Sequence, residues 1–303
     1  APSRAKQLLE VGDILVSTVR PNLNAVAMVE KKEDNLLVGS TGYCVLRCKD
    51  AADRRFIFHF CQSPYFVDDM TAQATGASYP AVTSGIVKNS CVPAYSIEEQ
   101  RKIAEKLDKL SEMIALRKEQ LAKLDELVKA RFVEMFGDPV YNPNRWKTET
   151  VESVCKEIYG GGTPSKSHPE YYENGDIPWV SSKDMKTDIL CDSQIRINQL
   201  GVDNSTAKMV PVNSVVMVIR SGILKHTLPV AINIVPITVN QDLKVFIPGA
   251  DILPLFMMFQ FKMLEKDILS GVRAVTADNI EFNTLKQRKI MIPPLDIQHE
   301  FAA

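Results

Sequence analysis

One glycine-rich stretch, residues 160–167, comes close to the type of loop that holds the phosphates of a bound nucleotide. Its sequence is GGGTPSKS, in which Ser165 occupies the place of a glycine that such a loop requires. A helix should also begin at Lys166 to point its backbone N–H groups at phosphate, but a His-Pro pair follows at once. The stretch therefore disfavours nucleotide binding.

The histidines and cysteines do not have the spacing of a metal or catalytic site. The four histidines are far apart, and the six cysteines include no CxxC pair. Cys44 and Cys48 lie in an apolar run that is typical of a buried strand. GxSxG, HExxH, the dinucleotide fingerprint and the short motifs of an amino-methyltransferase are also absent. The sequence predicts no metal site and no catalytic residue, and its cysteine usage is typical of a reducing compartment.

Small hydroxyl side chains and positive charges occur together in several loops. Serine and lysine are neighbours at 165–167 and at 181–183, and the pair Arg220-Ser221 lies close in sequence to Lys225-His226. Such groups contact phosphates and set the register of a protein on DNA, while Arg, Asn and Gln bind base edges in the major groove. Taken singly, each residue is more typical of a solvated loop. The candidate DNA-binding residues are Arg20, Asn24, Ser165, Lys166, Ser182, Lys183, Arg220, Ser221, Lys225, Asn240 and Gln241.

The bulk composition is that of an ordinary soluble protein. With 303 residues, the chain is long enough for two domains. Its net charge of −1 gives no global attraction to nucleic acid, so DNA binding has to come from local patches. No apolar run is long enough to span a membrane, and the first residues do not have the pattern expected of a signal peptide. These features predict a cytoplasmic protein.

A long helix is predicted from Ile97 to Phe136, in a stretch rich in Leu, Lys, Glu and Ala that lacks Gly and Pro. Ser96 is a suitable N-cap, and the Gly-Asp-Pro sequence at 137–139 ends the helix. At about 1.5 Å per residue the helix would be roughly 60 Å long.

Residues of this helix that are spaced by four and three form a heptad seam. A single helix of this length cannot bury its own apolar stripe, so the seam predicts a partner helix from this chain or another. The seam consists of Ile103, Leu107, Leu110, Ile114, Arg117, Leu121, Leu124, Val128 and Arg131.

The two halves of the chain repeat each other at an offset of about 200 residues. VGDILVSTVR at 11–20 resembles VNSVVMVIRS at 212–221, and the helical stretch at 56–70 matches that at 252–269. The start of the long helix, QRKIA, resembles QHEFA near the end of the sequence. The shared order predicts two related modules with one helix between them.

These features together resemble the DNA-specificity subunit of type I restriction-modification systems. The resemblance covers essentially the whole chain and is carried by the QRKIA entry and FGDP exit of the helix, NPNRW, GGGTPSKS, GDIPWVSSKDM and IPPLDIQHEFA.

The resemblance implies an α+β fold with two target-recognition domains, each with a mixed β core and a small helical part, joined by a long coiled-coil-type helix. The domains would occupy residues 1–96 and 139–291, the helix 97–138, and the start of a second conserved helix 292–303. In this family two such helices pair antiparallel, and each domain binds one half of a split site in double-stranded DNA. The subunit is not an enzyme.

The resemblance also implies partners and cofactors. The helices would dock methyltransferase subunits, and the assembly would recruit an endonuclease subunit. S-adenosylmethionine, Mg and ATP would be bound only by those partners, and this chain would hold no metal. The seam arginines Arg117 and Arg131 are candidates for setting helix register or contacting the methyltransferase.

The sequence departs from the family pattern in two places. Its first domain has no match to GGGTP or IPW, and its second conserved helix stops within the first turn. The first domain is therefore expected to lack its N-terminal half, either because the sequence is a fragment or because the subunit is naturally shortened. Residues 139–291 are expected to form a complete domain.

Three functional hypotheses follow. In the first, the chain recognises DNA and the helix acts as a ruler, because half-sites on one face of DNA lie about 34 Å apart per turn. In the second, it is an assembly scaffold that forms a homodimer through the seam and binds a palindromic site. In the third, it is the specificity part of a fused restriction-modification enzyme.

Overall fold

The computed structural model describes residues 5–31, 36–271, 273–274 and 278–303. The chain forms two compact units, Ala1–Ala122 and Lys123–Ala303, and the division falls inside the long helix. Short sheets and helices alternate in both units, which confirms the predicted α+β class.

The first unit contains small strands, short helices and the beginning of the long helix. Its elements are β1 (Ala5–Leu8), β2 (Ile14–Ser17), β3 (Val26–Met28), β4 (Val38–Ser40), β5 (Tyr43–Leu46), α1 (Arg54–Gln62), α2 (Pro64–Ala72), α3 (Ser84–Lys88) and α4 (Ile97–Phe136), with a 3-10 turn at Pro21–Leu23.

The core of the first unit lies between a sheet and the helices α1 to α3. The sheet is antiparallel, in the order β3-β2-β5, and β1 pairs separately with β4. Alternate residues of a strand share one face, and Ile14 and Val16 of β2 are buried accordingly. They belong to one apolar cluster with Cys44, Phe66 and Met70.

The helical stretch predicted at 56–70 is two helices, because the backbone is extended at Ser63. The Oγ of Ser63 accepts the N–H of Phe66 at 3.3 Å and caps α2. Pro64 follows at the first helical position, where a missing N–H has no cost.

The long helix α4 begins and ends where the sequence predicts. Ser96 and Glu99 form a capping box: the Oγ of Ser96 accepts the N–H of Glu99 at 3.3 Å, and Oε2 of Glu99 accepts the N–H of Ser96 at 2.9 Å. After the last turn, Gly137 has a left-handed backbone with φ of +79°, which ends the helix.

Helix α1 holds α4 through charged side chains. His59 Nε2 lies 2.7 Å from one oxygen of Asp108, and Arg55 Nη1 donates to the other at 2.9 Å. Ala104, one turn earlier on α4, is fully buried.

The second unit contains the end of α4 and a larger set of strands and helices. These are β6 (Thr148–Thr150), α5 (Val151–Val154), β7 (Cys155–Gly160), β8 (Ile177–Val180), β9 (Ile189–Leu190), β10 (Arg196–Ile197), α6 (Gln199–Asp203), β11 (Val215–Val218), β12 (Val230–Asn233), β13 (Thr238–Val239), β14 (Leu243–Pro248), α7 (Pro254–Met263), α8 (Glu265–Ser270), β15 (Arg273–Ala274), β16 (Asp278–Asn279), α9 (Phe282–Gln287), β17 (Lys289–Met291) and α10 (Leu295–Ala302), with 3-10 turns at Pro169–Tyr171 and Gly222–Lys225.

The strands of the second unit form a mixed β core. The largest sheet has the order β7-β14-β11-β12-β9, antiparallel except for the parallel pair β12 and β9. A second sheet has the order β10-β8-β13. Every residue of β11 and β12 is buried, and α7 packs against β12. The stretch at 158–185, which is rich in loop-forming residues in the sequence, contains all of β8 and the end of β7.

The end of α4 is held in the second unit by aromatic packing. Phe132 and Phe136 are fully buried one turn apart, against Phe256 of α7 and Phe301 of α10. Neighbouring ring centroids in this group are 4.8 to 5.5 Å apart. The buried face of the helix at this end therefore runs through residues outside the predicted seam.

Candidate nucleic-acid interface

The strand register of the second unit brings several loops to one edge. Gly160 at the end of β7 lies opposite Lys244, and Val218 at the end of β11 lies opposite Leu243, so these strands end where β14 begins. Strand β8 runs parallel to β13 and ends beside it. We call this region the polar edge; it comprises residues 161–167, 181–184, 219–227 and 240–242.

Backbone hydrogen bonds join the loops of the polar edge. The N–H of Gly162 donates to the carbonyl oxygen of Val239 at 3.0 Å, and that of Asn240 donates to Val180 at 2.9 Å. The N–H groups of Ile219 and Arg220 both donate to the carbonyl of Asp242, at 2.9 and 3.2 Å. Nine of the eleven candidate DNA-binding residues lie in these loops, and the sequence alone did not indicate that they meet.

Arg220, Asp242 and Asn240 form one hydrogen-bonded group. Arg220 donates from Nε and Nη2 to Oδ1 of Asp242, at 2.7 and 2.6 Å. Asn240 donates from Nδ2 to the other carboxylate oxygen at 3.1 Å and accepts the N–H of Asp242 at 3.1 Å. Because Asn240 is buried and its amide is bound to Asp242, its position favours a supporting role over base contact.

Gln241 is exposed and faces the glycine-rich loop. Its Oε1 accepts the hydroxyl of Thr163, a residue that the sequence reasoning did not select. The neighbouring glycines allow the loop to pack closely, since a Cβ on Gly161 would clash with the Val239 carbonyl and one on Gly162 with Thr206. The glycines of GGGTPSKS thus serve packing between strands.

Ser221 and Lys225 lie on the 3-10 turn after β11. The Oγ of Ser221 accepts the N–H of Ile223 and caps this turn. The N–H of Ser221 donates to the carbonyl of Asp278 at 3.1 Å, and Lys225 Nζ lies 3.9 Å from Oδ2 of the same residue. Asp278 is buried below the surface of the polar edge, and its carboxylate partly offsets the positive charge of Lys225.

The remaining lysines of the polar edge are more open. Ser165 hydrogen-bonds the hydroxyl of Ser167 at 2.6 Å, and Lys166 between them is exposed. Ser182 is half-buried and Lys183 is exposed. Neither lysine takes part in an ion pair within the described part of the chain. Together they supply positive charge that no carboxylate of the described residues approaches within ion-pair distance.

Lys244 lies just below the polar edge at the start of β14. Its Nζ is 4.7 Å from the ring centroid of Phe282, and burial lowers the pKa of its amine. This packing places Lys244 among the supporting residues.

The first unit contains two candidate DNA-binding residues, Asn24 and Arg20, which differ in whether their donors are already used within the fold. Asn24 donates its amide to the carbonyl of Gln62 at 3.0 Å, so its donor is committed to the fold. Arg20 is exposed and its guanidinium lies 4.7 Å from the centroid of the exposed Tyr79 ring. In the internal repeat, where 11–20 matches 212–221, Arg20 corresponds to Ser221. The backbone N–H of Arg20 donates to the carbonyl of Pro80, and that of Ser221 donates to the carbonyl of Asp278.

The heptad seam is largely open to solvent. Leu110, Ile114, Leu121 and Leu124 are each about half exposed, at 48 to 63%. The other apolar members, Ile103, Leu107 and Val128, are half-buried. Of the two seam arginines, Arg117 donates to Gln120 at 2.9 Å, and Arg131 contacts Glu134 and, at 3.2 Å, Glu300 of α10.

No group of His, Cys, Asp and Glu side chains in residues 5–31, 36–271, 273–274 and 278–303 is arranged to hold a metal ion. In the same ranges, no helix combines the length and apolar character needed to cross a membrane.

Two segments of the sequence, residues 4–126 and 143–303, match the sequence model of one family, the type I restriction modification DNA specificity domain. The specificity subunit of the type I restriction enzyme EcoR124I/EcoR124II from Escherichia coli is 34% identical over 68% of this chain and 50% of its own length. The MjaIX specificity subunit from Methanocaldococcus jannaschii is 23% identical over 96% of this chain and 69% of its own length. The chain thus spans half the length of the Escherichia coli subunit.

Solved structures share the fold. One comes from a study of complex assembly and conformational transition of the type I R-M system; it covers all of this chain and 75% of its own, with a TM-score of 0.53 and 25% identity. The S subunit of a type I restriction-modification system from M. genitalium covers 98% of this chain and 75% of its own, with a TM-score of 0.56. At 15% identity, this second likeness shows the fold alone.

Proposed function

This chain belongs to the family of type I restriction modification DNA specificity domains, and from that premise we propose that it is a non-catalytic DNA-recognition subunit. It directs methyltransferase and endonuclease subunits to a split site in double-stranded DNA. The partner subunits bind S-adenosylmethionine, Mg and ATP, this chain binds none of them, and the complex works in the cytoplasm.

The polar edge of the second unit is the observation that carries the proposal. It gathers Arg220 and Gln241, side chains suited to base edges, beside Lys166 and Lys183, which are suited to phosphates. Loops placed at the ends of packed strands hold such groups in fixed positions. The second unit therefore contacts one half-site, and Arg20 with Tyr79 offers a smaller contact from the first unit.

The proposal is tested by the methylation pattern that the chain directs. The full chain is expressed with its methyltransferase subunit, and methylated adenines are mapped across a genome. We expect one split sequence motif that is absent without the chain. The double variant Arg220→Ala/Gln241→Ala should lose or alter bases in one half of that motif only. Methylation without a common motif would reject DNA recognition as the function.

The exposed apolar side chains of the heptad seam favour a second candidate, an assembly scaffold that pairs with another copy. In that arrangement a homodimer binds a palindromic site. Light scattering separates the candidates: the scaffold requires a dimer mass at micromolar concentration. Ile114→Asp should convert it to monomer, while Ser111→Asp, at an exposed helix position outside the seam, should leave it dimeric. A monomeric wild-type chain would eliminate the scaffold.

A further inference from the structure

Asp242 fixes the orientation of the Arg220 guanidinium. Nε and Nη2 of Arg220 both donate to Oδ1 of Asp242, at 2.7 and 2.6 Å. The carboxylate is itself held, because Oδ2 accepts from Asn240, which is only 7% exposed. The two hydrogen bonds therefore hold the Arg220 guanidinium in one orientation, although the arginine side chain is flexible.

Within the part of the chain that the structure describes, the outer edge of the same guanidinium has no hydrogen-bond partner. Arginine has five N–H donors in a planar fork, and the contacts to Asp242 engage only the side that carries Nε. The side formed by Nη1 and the outer hydrogen of Nη2 points away from the carboxylate. The Arg220 side chain is 49% exposed, which leaves room for a ligand. Two parallel donors at fixed spacing suit an acceptor with two neighbouring lone pairs.

Charge distinguishes the two acceptors that DNA offers to such a fork. A phosphate and the O6/N7 edge of guanine can both accept two parallel hydrogen bonds. The Asp242 carboxylate offsets the positive charge of Arg220 at contact distance, which weakens attraction to an anion but leaves both donors in place. The neutral base edge is favoured over the phosphate.

We propose that Arg220, oriented by Asp242, binds a guanine in the half-site of the second unit, with Asp242 acting as a positioning residue. This inference rests on the proposed function, since it assumes that the polar edge meets the major groove. It adds the identity of one base and the reason that the arginine is paired with a carboxylate.

The test uses the full chain with its methyltransferase subunit and a randomised duplex library. The wild type should select a guanine whose replacement lowers affinity by roughly 5- to 150-fold. Substituting 7-deazaguanine, which lacks the N7 acceptor, should weaken wild-type binding but have no further effect on Arg220→Ala. Arg220→Lys, which keeps the charge and loses the fork, should also lose the guanine preference.

Asp242→Asn provides a readout that a purely structural role would not give. Loss of the carboxylate charge should relax the guanine preference and make the dependence of log K on log salt steeper by about 0.9, because Arg220 can then bind a phosphate. The matched control is Arg196→Ala. Arg196 donates from the same two nitrogens to one oxygen of Asp192 and has a similar exposure of 46%, but it lies opposite the start of β8. Its removal should leave the selected sequence unchanged.

The outcomes separate the two proposals. A defined site without an Arg220-dependent guanine overturns this inference and leaves the proposed function standing. A uniform loss of affinity in Arg220→Ala, with a salt slope shallower by about 0.9, identifies a phosphate contact and also overturns it. A wild-type complex that selects no sequence rejects both proposals. Thermal unfolding of each variant shows whether the second unit is intact.

Discussion

Asp13 carries a carboxylate that is almost completely buried in the first unit, with 1% exposure. Arg47 donates to its two oxygens at 2.8 and 2.7 Å, and the N–H of Glu10 donates at 2.7 Å. The hydrogen bonds from Arg47, followed by that from Glu10, hold the pKa of Asp13 below its ordinary value although burial acts in the opposite direction. The folded state therefore gains stability from this carboxylate above the unfolded pKa of about 3.8 and loses it as the pH falls through the folded pKa.

Asp13→Asn should lower the free energy of unfolding by about 1 to 2 kcal/mol at neutral pH. The effect is no larger because Arg47 is half exposed, and solvent screens its interaction with Asp13. The variant should also lose less stability than the wild type between about pH 5 and 2, because asparagine cannot take up the proton that destabilises the folded wild type in acid. Urea unfolding followed by circular dichroism at a series of pH values measures both effects. Asp50→Asn removes an exposed carboxylate in the same unit and should keep the wild-type pH dependence. An unchanged acid profile in Asp13→Asn would assign the acid sensitivity to other groups.

One buried glutamine ties the start of α10 to the segment before α7. Oε1 of Gln298 accepts the N–H of Leu253 at 2.8 Å. Its Nε2 donates to the carbonyls of Asp251 at 3.0 Å and Pro293 at 2.7 Å. The side chain is fully buried, so these three bonds satisfy polar groups that water cannot reach.

The first unit repeats this arrangement at the start of α4. Oε1 of Gln100 accepts the N–H of Asp53 at 2.9 Å, and Nε2 donates to Tyr95 at 2.9 Å and Ala51 at 3.4 Å. In both units the glutamine accepts the N–H of the residue that precedes a helix, Asp53 or Leu253. It also donates to two carbonyls: one lies two residues before that position, and the other lies five residues before the glutamine. The internal repeat therefore extends to individual hydrogen bonds that fix how each helix leaves its domain.

Gln298→Leu should destabilise the second unit by about 2 to 4 kcal/mol, because it leaves a buried N–H and two carbonyls without partners. Hydrogen exchange should also become faster in the first turn of α10. Gln287→Leu is the control, since Gln287 is exposed and makes one hydrogen bond to Glu152. Its cost should stay within about 0.5 kcal/mol. Equal exchange rates at α10 in both variants would contradict the role assigned to Gln298.

The elements that sequence predicts best are those fixed by local chemistry. Helix α4 has the predicted bounds because the stretch lacks Gly and Pro, Ser96 caps its start and Gly137 ends it. The prediction of one continuous helix at 56–70 is wrong, because the apolar spacing does not reveal the break at Ser63. Apolar periodicity reports which face is buried and says less about where a backbone changes direction.

The candidate site was predictable only as a set of residue types. The sequence indicates Arg220 and Gln241 because arginine and glutamine suit base edges, and both residues are exposed in the structure. Asp242 and the burial of Asn240 were missed, because the contact between Arg220 and Asp242 comes from the pairing of β11 with β14. Strand register is set by long-range packing that no local pattern contains. The signal that could have helped was the Asn-Gln-Asp run directly before a strand.

Across the whole molecule, positive charge is offset nearly one for one. The chain carries 36 Lys and Arg against 37 Asp and Glu. The same balance appears on the polar edge, where Asp242 and Asp278 oppose Arg220 and Lys225. On the proposed function, attraction to a DNA backbone would then come from the exposed lysines of the polar edge that form no ion pair within the described residues.

Lys166 and Lys183 should therefore dominate the salt dependence of DNA binding by this chain. The double variant Lys166→Ala/Lys183→Ala should reduce the slope of log K against log salt by about 1.8, because each phosphate contact contributes about 0.9. Affinity should fall by a similar factor for every sequence, since phosphate contacts carry no base identity. Fluorescence anisotropy over a range of salt concentrations, with cognate and scrambled duplexes, measures both quantities. Lys106→Ala/Lys118→Ala removes two exposed charges from α4 and should leave the slope unchanged. The prediction is contradicted if Lys166→Ala/Lys183→Ala changes the preferred DNA sequence but keeps the wild-type salt slope. That result would mean that these lysines contact bases and that other residues contact the phosphates.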